Sequence, residues 1–263
     1  LSLYESNSPS AKNLIHTLRD IGYSLETAIA DIVDNSISAN ASEINIYINF
    51  NFDNSYIAII DNGTGMNEDS LKNAMKIGSC DPINVRSTND LGRFGLGLKT
   101  ASFSQARKLT VATKENNNTY ARCWDLDYIS KTEEWQLEIL NNKLNKISEL
   151  HKLSQNGTLV LWEKLDKLIE TNHKRKTEDI FWEKIDSARE YLGLVFHRYL
   201  TGETGLRKIS ININDDPITP FNPFEGAGKH FPEEQIGNIK IQAYQLPHHS
   251  KVSTEQYKRL EGR

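Results

Sequence analysis

Between Ser24 and Ile60 the hydrophobic period switches from that of a helix to that of a strand, which commits this part of the chain to a layered unit of helix and sheet. Leu25, Ala28, Ile29, Ile32, Val33 and Ile37 recur at helical spacing from Ser24 to Ala39, the pattern of an amphipathic helix. Ile44, Ile46, Ile48 and Phe50 then alternate with polar residues, as in a strand with one buried face. Tyr56-Ile57-Ala58-Ile59-Ile60 is a second, more fully apolar strand, and it runs straight into Asp61-Asn62-Gly63-Thr64-Gly65. A short helix over Glu68 to Ile77, capped by Asn67, is expected next.

Residues 79–94 lack periodicity and are rich in polar and turn-forming types; a structureless stretch of this length inside a domain is usually functional. It closes on Gly92, Gly95 and Gly97, after which Leu98 to Ala106 reads as helix. Segments 109–113, 120–124, 135–139 and 158–162 read as strands. Strands that neighbour one another in sequence predict an α/β (α+β) two-layer sandwich: a mostly antiparallel mixed sheet with helices on one face. Lys164 to Asp179, with Lys174-Arg175-Lys176, is charged and apolar-poor and is the best linker. Its basic triplet reads as a solvated loop or a nucleic-acid contact. Beyond it, Phe181 to Leu200 is spaced as a helix and Lys208 to Ile213 alternates as an edge strand before the Asp215-Asp216-Pro217 turn.

Composition narrows the class. The 263 residues, 38% hydrophobic and 25% charged, allow a real core and exclude global disorder. Lys+Arg 31 against Asp+Glu 35 gives a net charge of -4, which excludes a uniformly basic nucleic-acid binder but not a local patch. The two cysteines, Cys80 and Cys123, form neither a disulfide framework nor a zinc spacing and fit a reducing compartment. No apolar run nears the ~20 residues of a membrane helix, and no signal-peptide pattern opens the chain. A cytoplasmic protein without membrane contact is expected. Leu1 stands without an initiator Met and the chain stops at Arg263, so an excised or processed piece is expected as well.

Three segments are odd choices for plain structure. On the first helix, Asp31 and Asn35 lie one turn apart beside the apolar stripe. The amide oxygen suits a hard cation such as Mg²⁺ and the carboxylate can orient or deprotonate a water. A solvated helix face is the plain alternative. At the end of the second strand, Asp61 can accept from an exocyclic amine, Gly63 and Gly65 allow a flat ligand close to the backbone, and Met66 offers a polarizable surface. Taken alone, Asp-Asn-Gly is also a turn signal. Finally, Gly92-Arg93-Phe94-Gly95-Leu96-Gly97-Leu98-Lys99 opens a helix with exposed N–H groups and a lysine, an anion site in form. It matches neither the Walker pattern nor the dinucleotide fingerprint.

Their order resembles the GHKL ATPase superfamily of gyrase B, the large heat-shock chaperone, histidine kinases and MutL. Asn156-Gly157-Thr158-Leu159-Val160 resembles a fourth family element, the late Gly-Thr strand, and the resemblance spans roughly residues 11–165. It implies a Bergerat-type ATP-binding fold. ATP and Mg²⁺ are the implied ligands, with Asn35 holding the metal, Asp61 accepting the adenine amine and Gly63, Gly65, Met66 and Thr158 shaping the base pocket. Gly92, Phe94, Gly95, Leu96, Gly97 and Lys99 are the implied phosphate contacts, under a movable lid at 79–96. Asp31 and Lys99 are the implied catalytic residues. Asp31 stands where the family usually has Glu, one methylene longer, so slow hydrolysis is expected; Ser38 stands where many members have Asp.

Within the superfamily, the wording of 31–41, Gly97-Leu98-Lys99 and Asn222-Pro223-Phe224 most resemble bacterial MORC-like ATPases. The resemblance implies an ATP-binding domain at 1–168, a linker at 169–176 and a partial transducer domain at 177–263, with Lys251 reaching the γ-phosphate. It also implies an ATP-dependent homodimer, and DNA as a partner through other regions of a longer protein. Two rivals stay open: a nucleotide-gated interaction module with little hydrolysis, and a histidine-kinase-type phosphotransferase. For the latter His16 is the nearest acceptor, though it reads as a helix-surface residue.

Overall fold

In the computed structural model, which describes residues 10–20, 22–78, 97–169, 174–224, 229–251 and 253–254, the period switch becomes a helix laid over the sheet it leads into. The helices are α1 (Ala11–Arg19), α2 (Leu25–Ser38), α3 (Glu68–Met75), α4 (Gly97–Gln105), α5 (Leu126–Thr132), α6 (Lys174–Val195) and α7 (His197–Thr201). The main strands are β1 (Glu43–Asn49), β2 (Tyr56–Asp61), β3 (Lys108–Glu115), β4 (Asn118–Asp125), β5 (Glu138–Ile139), β6 (Gly157–Glu163), β7 (Ser210–Ile213) and β8 (Asp216–Pro217). Short strands β9 (Lys229–His230), β10 (Glu234–Ile236), β11 (Ile239–Ile241) and β12 (Tyr244–Gln245) form two small antiparallel sheets, the hairpin β10–β11 and the pair β9–β12.

The eight main strands make one mixed sheet in the order β5-β4-β3-β6-β2-β1-β7-β8, antiparallel throughout except for the parallel pair β1–β7. Helices α2, α4 and α6 bury Ile29, Ile32, Phe103, Phe181 and Ile185 with Ile44, Ile46, Ile57, Ile59 and Trp162 of the sheet in one large core. The opposite face carries a smaller cluster: Ala58, Ile60, Ala112, Ala121, Cys123, Leu159 and Leu161 lie under Leu140, Leu144, Ile147, Leu150 and Leu153. Strand β2 is therefore apolar at successive positions because both of its faces are covered.

Local chemistry sets the element ends. The Ser24 hydroxyl accepts from the Thr27 N–H at the start of α2, and the Asn67 carboxamide does the same for Ser70 in α3, as expected.

Three expectations need correction. Segment 135–139 forms only the two-residue β5: the Asp125 carboxylate caps α5 by accepting from Asp127 and Tyr128 N–H groups, and left-handed Glu133 ends that helix. Trp135 then packs edge-on against Trp124 instead of joining a ladder. The linker is shorter than expected, because Lys174-Arg175-Lys176 already belongs to α6, and the helix expected through Leu200 is interrupted at Phe196, between α6 and α7. Strand β7 pairs with β1, and Phe181, Ile185, Ala188, Leu192, Ile211 and Ile213 share the large core.

Candidate functional site

The site starts at the last residue of β2. Asp61 is registered opposite Thr158 of β6, which is itself opposite Thr113 of β3, so three polar side chains form a row across the middle of an apolar sheet. Only 6% of Asp61 is exposed. Its Oδ1 accepts the N–H groups of Gly63 at 2.9 Å and Thr158 at 3.2 Å, and its Oδ2 accepts the Ser36 hydroxyl at 3.0 Å. Burial pushes the Asp61 carboxyl above the usual range, and these three donors oppose the shift.

The glycines beside it are fixed by close approach. At Gly65, whose φ is +71°, a Cβ would sit 2.1 Å from the Lys114 carbonyl oxygen. At Gly157, φ +141°, it would sit 2.0 Å from the Asp61 carbonyl oxygen. Neither position accepts a side chain without moving backbone. Between them the Thr113 hydroxyl accepts the Met66 N–H at 2.8 Å and donates to the Gly157 carbonyl at 3.0 Å. Met66 packs at the edge of the large core.

Helix α2 brings in the other half. Its buried Ser36 is tied to Asp61, which fixes the helix roll and leaves Asn35 exposed and Asp31 half-exposed along the neighbouring face. The Tyr23 hydroxyl donates to Asp31 Oδ2 at 2.7 Å. A Cβ on Gly97, the first residue of α4, would lie 3.4 Å from that same oxygen, so the carboxylate faces the positive end of α4. Half-buried Asp34 has its carboxyl pushed up to about 6, first by burial and then by the negative charge of Asp31.

Asp31, Asn35, Asp61, Gly63, Gly65, Met66, Gly97 and Thr158 are thus placed around the joined ends of α2, β2, β6 and α4. Lys99 is buried in α4, and its Nζ donates to the Ala74 carbonyl in the last turn of α3 at 2.9 Å. Lys251 is exposed in a 3₁₀ turn at His249–Lys251 where its backbone N–H donates to His248, and no described contact joins its side chain to the site. Gly92, Phe94, Gly95 and Leu96, with the rest of 79–96, lie outside the described residues. His16 is exposed on α1. Sequence reasoning missed Ser36, Thr113 and Tyr23, while Gly157 lies in the Gly-Thr element it singled out. Ser36 had a signal, a polar residue one turn beyond Ile32 on the buried stripe; Thr113 and Tyr23 had none short of the tertiary structure.

A family model for histidine kinase-, DNA gyrase B- and HSP90-like ATPases matches residues 23–158. The chain belongs to this ATPase family, the GHKL group, and its relatives include both MutL and MORC proteins. It is 26% identical over 136 residues to a DNA mismatch repair protein MutL of Fervidobacterium nodosum, covering 51% of this chain and 20% of that protein. It is 30% identical over 106 residues to the ATPase MORC2B of Mus musculus, covering 39% and 10%. Against MutL of Thermosipho melanesiensis it is 24% identical over 202 residues, covering 76% and 32%. The alignments therefore span at most about a third of these relatives' lengths. Among the described residues no helix is long and apolar enough to cross a membrane.

Proposed function

We propose that this chain is a cytoplasmic, Mg²⁺-dependent ATP-binding module that hydrolyses ATP slowly, within a MORC- or MutL-like ATPase that closes a lid and dimerises around its nucleotide. The acceptor geometry of Asp61 carries the reading. An ionised carboxylate offers about four lone-pair positions. Protein donors take three, and the remaining capacity suits the exocyclic amine of adenine. Gly63 and Gly65 keep side chains out of the base's path, Met66 lines it, and Thr158 reaches it directly or through water.

At the other end of the ligand, the exposed Asn35 carboxamide supplies a hard oxygen, and Asp31 and Asp34 add negative charge nearby. That set fits Mg²⁺, which takes one or two protein oxygens and fills its remaining positions with water and phosphate. When bound, the metal neutralises charge on the phosphates. Asp31 orients the attacking water and takes its proton as the water oxygen bonds to the γ-phosphorus. The bond to the bridging oxygen breaks, and ADP and phosphate leave. The N–H groups at Gly97 face the phosphates. Lys99 joins them only by leaving the Ala74 carbonyl, and Lys251 only by a movement of its segment. A second copy of the chain and DNA are the partners this reading takes from its relatives.

Calorimetry with a nonhydrolysable ATP analogue and Mg²⁺ tests the binding claim: heat with wild type and none with Asp61→Asn is expected. Phosphate release tests the chemistry. Asp31→Asn should fall at least about 100-fold but stay measurable; equal rates for the two proteins favour the second reading, a nucleotide-gated module with little hydrolysis, the outcome that the short Asp31 side chain also fits.

A further inference from the structure

Tyr23 is a residue that nothing in the ATP-binding pattern calls for, yet it is held from three directions. It precedes Ser24, the cap of α2, and its ring packs at the edge of the large core. Its carbonyl accepts from Gln105 Nε2 at 3.2 Å, and that buried amide also donates to Ser104. The phenol proton goes to Asp31 Oδ2 at 2.7 Å, a length typical of a charge-assisted O–H···O⁻ bond.

We infer that Tyr23 is a positioning residue for the Asp31 carboxylate, clamped between α4 and α2 so that one Asp31 oxygen is occupied and the other is presented to water. The inference rests on the hydrolase reading above and deepens it. A carboxylate on a single methylene swings about two torsions, and a half-exposed one has no packing to choose among its orientations. One strong donor on Oδ2 makes the choice. The donor is itself fixed, since Gln105 of the buried helix α4 holds its carbonyl and the large core holds its ring. Groups that hold a reactive side chain by its far atom act this way in metal sites and in acid–base pairs. The arrangement also bears on the Asp at position 31. A Glu there would carry its carboxylate one methylene past the position at which the 2.7 Å bond forms. Tyrosine and aspartate are matched in length.

The test is a double-mutant cycle on steady-state phosphate release, with Tyr23→Phe and Asp31→Asn alone and together, beside binding of a nonhydrolysable ATP analogue. Tyr23→Phe keeps the ring and its packing. It should lower kcat about tenfold, part of the ~10²–10⁴-fold a positioned base contributes, and leave KM and analogue affinity within twofold. In the Asp31→Asn background the same change should cost nothing further. An unchanged kcat overturns the inference, as does a loss repeated in the Asp31→Asn background or a parallel loss of analogue binding, since those mark a structural role. A second readout needs no turnover: the ¹³C-labelled tyrosine signal that disappears in Tyr23→Phe should shift in Asp31→Asn, and a signal that stays put also overturns the inference. Wild type and Asp31→Asn releasing phosphate equally defeat the base assignment and this inference with it. An active wild type, a strongly slowed Asp31→Asn and a fully active Tyr23→Phe defeat the inference alone.

Discussion

The Asp61 end of the site and the Asp31–Asn35 face of α2 touch through Ser36 and are built in opposite ways. Around Asp61 the described polar atoms are committed: both oxygens are occupied, two glycines stand where a Cβ would strike backbone, and Thr113 closes the gap between them. On α2 the reactive groups are half or fully exposed, and Asp31 is held by one phenol. On the function proposed above, recognition is fixed before a ligand arrives, and the reacting end is left open to water, metal and phosphate. A flat base gains from a rigid slot because little ordering is left to the moment of binding. A hydrated metal and a leaving phosphate need room.

That contrast can be broken at either end. Asp61→Asn should reduce affinity for an ATP analogue at least about 100-fold by calorimetry, because the amide reverses one acceptor and leaves buried donors facing it. Affinity within tenfold of wild type would show that the slot does not read the base. Gly65→Ala and Gly157→Ala should each destabilise the fold by at least about 3 kcal/mol in urea denaturation, as left-handed or extended backbone is forced against a carbonyl. Asn35→Ala should leave melting within a degree or two and weaken Mg²⁺-dependent nucleotide binding about tenfold, while binding measured in EDTA is unchanged.

The smallest effect is expected at Asp34. Its carboxyl is pushed up to about 6 from an unfolded value near 3.8, so the folded state holds the extra proton between those values. Stability therefore falls as pH rises through that window and stays lower above it. Asp34→Asn should recover about 1 kcal/mol at pH 7.5, after discounting for solvent screening, and nothing at pH 3. Equal gains at both pH values would remove the charge explanation.

Much of this was readable from residue order, for reasons that differ along the chain. Helix α2, strands β1 and β2 and the cap at Asn67 follow from period and local hydrogen bonding, which need no knowledge of the fold. Asp61 and Gly65 were marked by their place at the end of an apolar run. Ser36, Thr113 and Tyr23 gained their roles from partners far along the chain, which no local pattern encodes: Thr113 meets Met66 and Gly157, and Ser36 meets Asp61. The cover over the second sheet face lay in plain view as Leu140, Leu144, Ile147, Leu150 and Leu153, but spacing of three to four residues without a cap or an alternating neighbour gives neither a helix nor a strand. It folds largely as short 3₁₀ turns. The charged stretch from Lys164 through Asp179 reads as linker in the sequence because surface residues dominate it, although α6 begins within it at Lys174. Only the buried positions Thr177, Phe181, Ile185 and Ala188 reveal the stripe.

The most direct test of the account is a crystal structure with a nonhydrolysable ATP analogue and Mg²⁺ bound. The adenine amine should lie within hydrogen-bonding distance of an Asp61 oxygen, with the metal on the Asn35 side-chain oxygen. A base seated elsewhere, with the Asp61 carboxylate still bonded only to Ser36, Gly63 and Thr158, would contradict it.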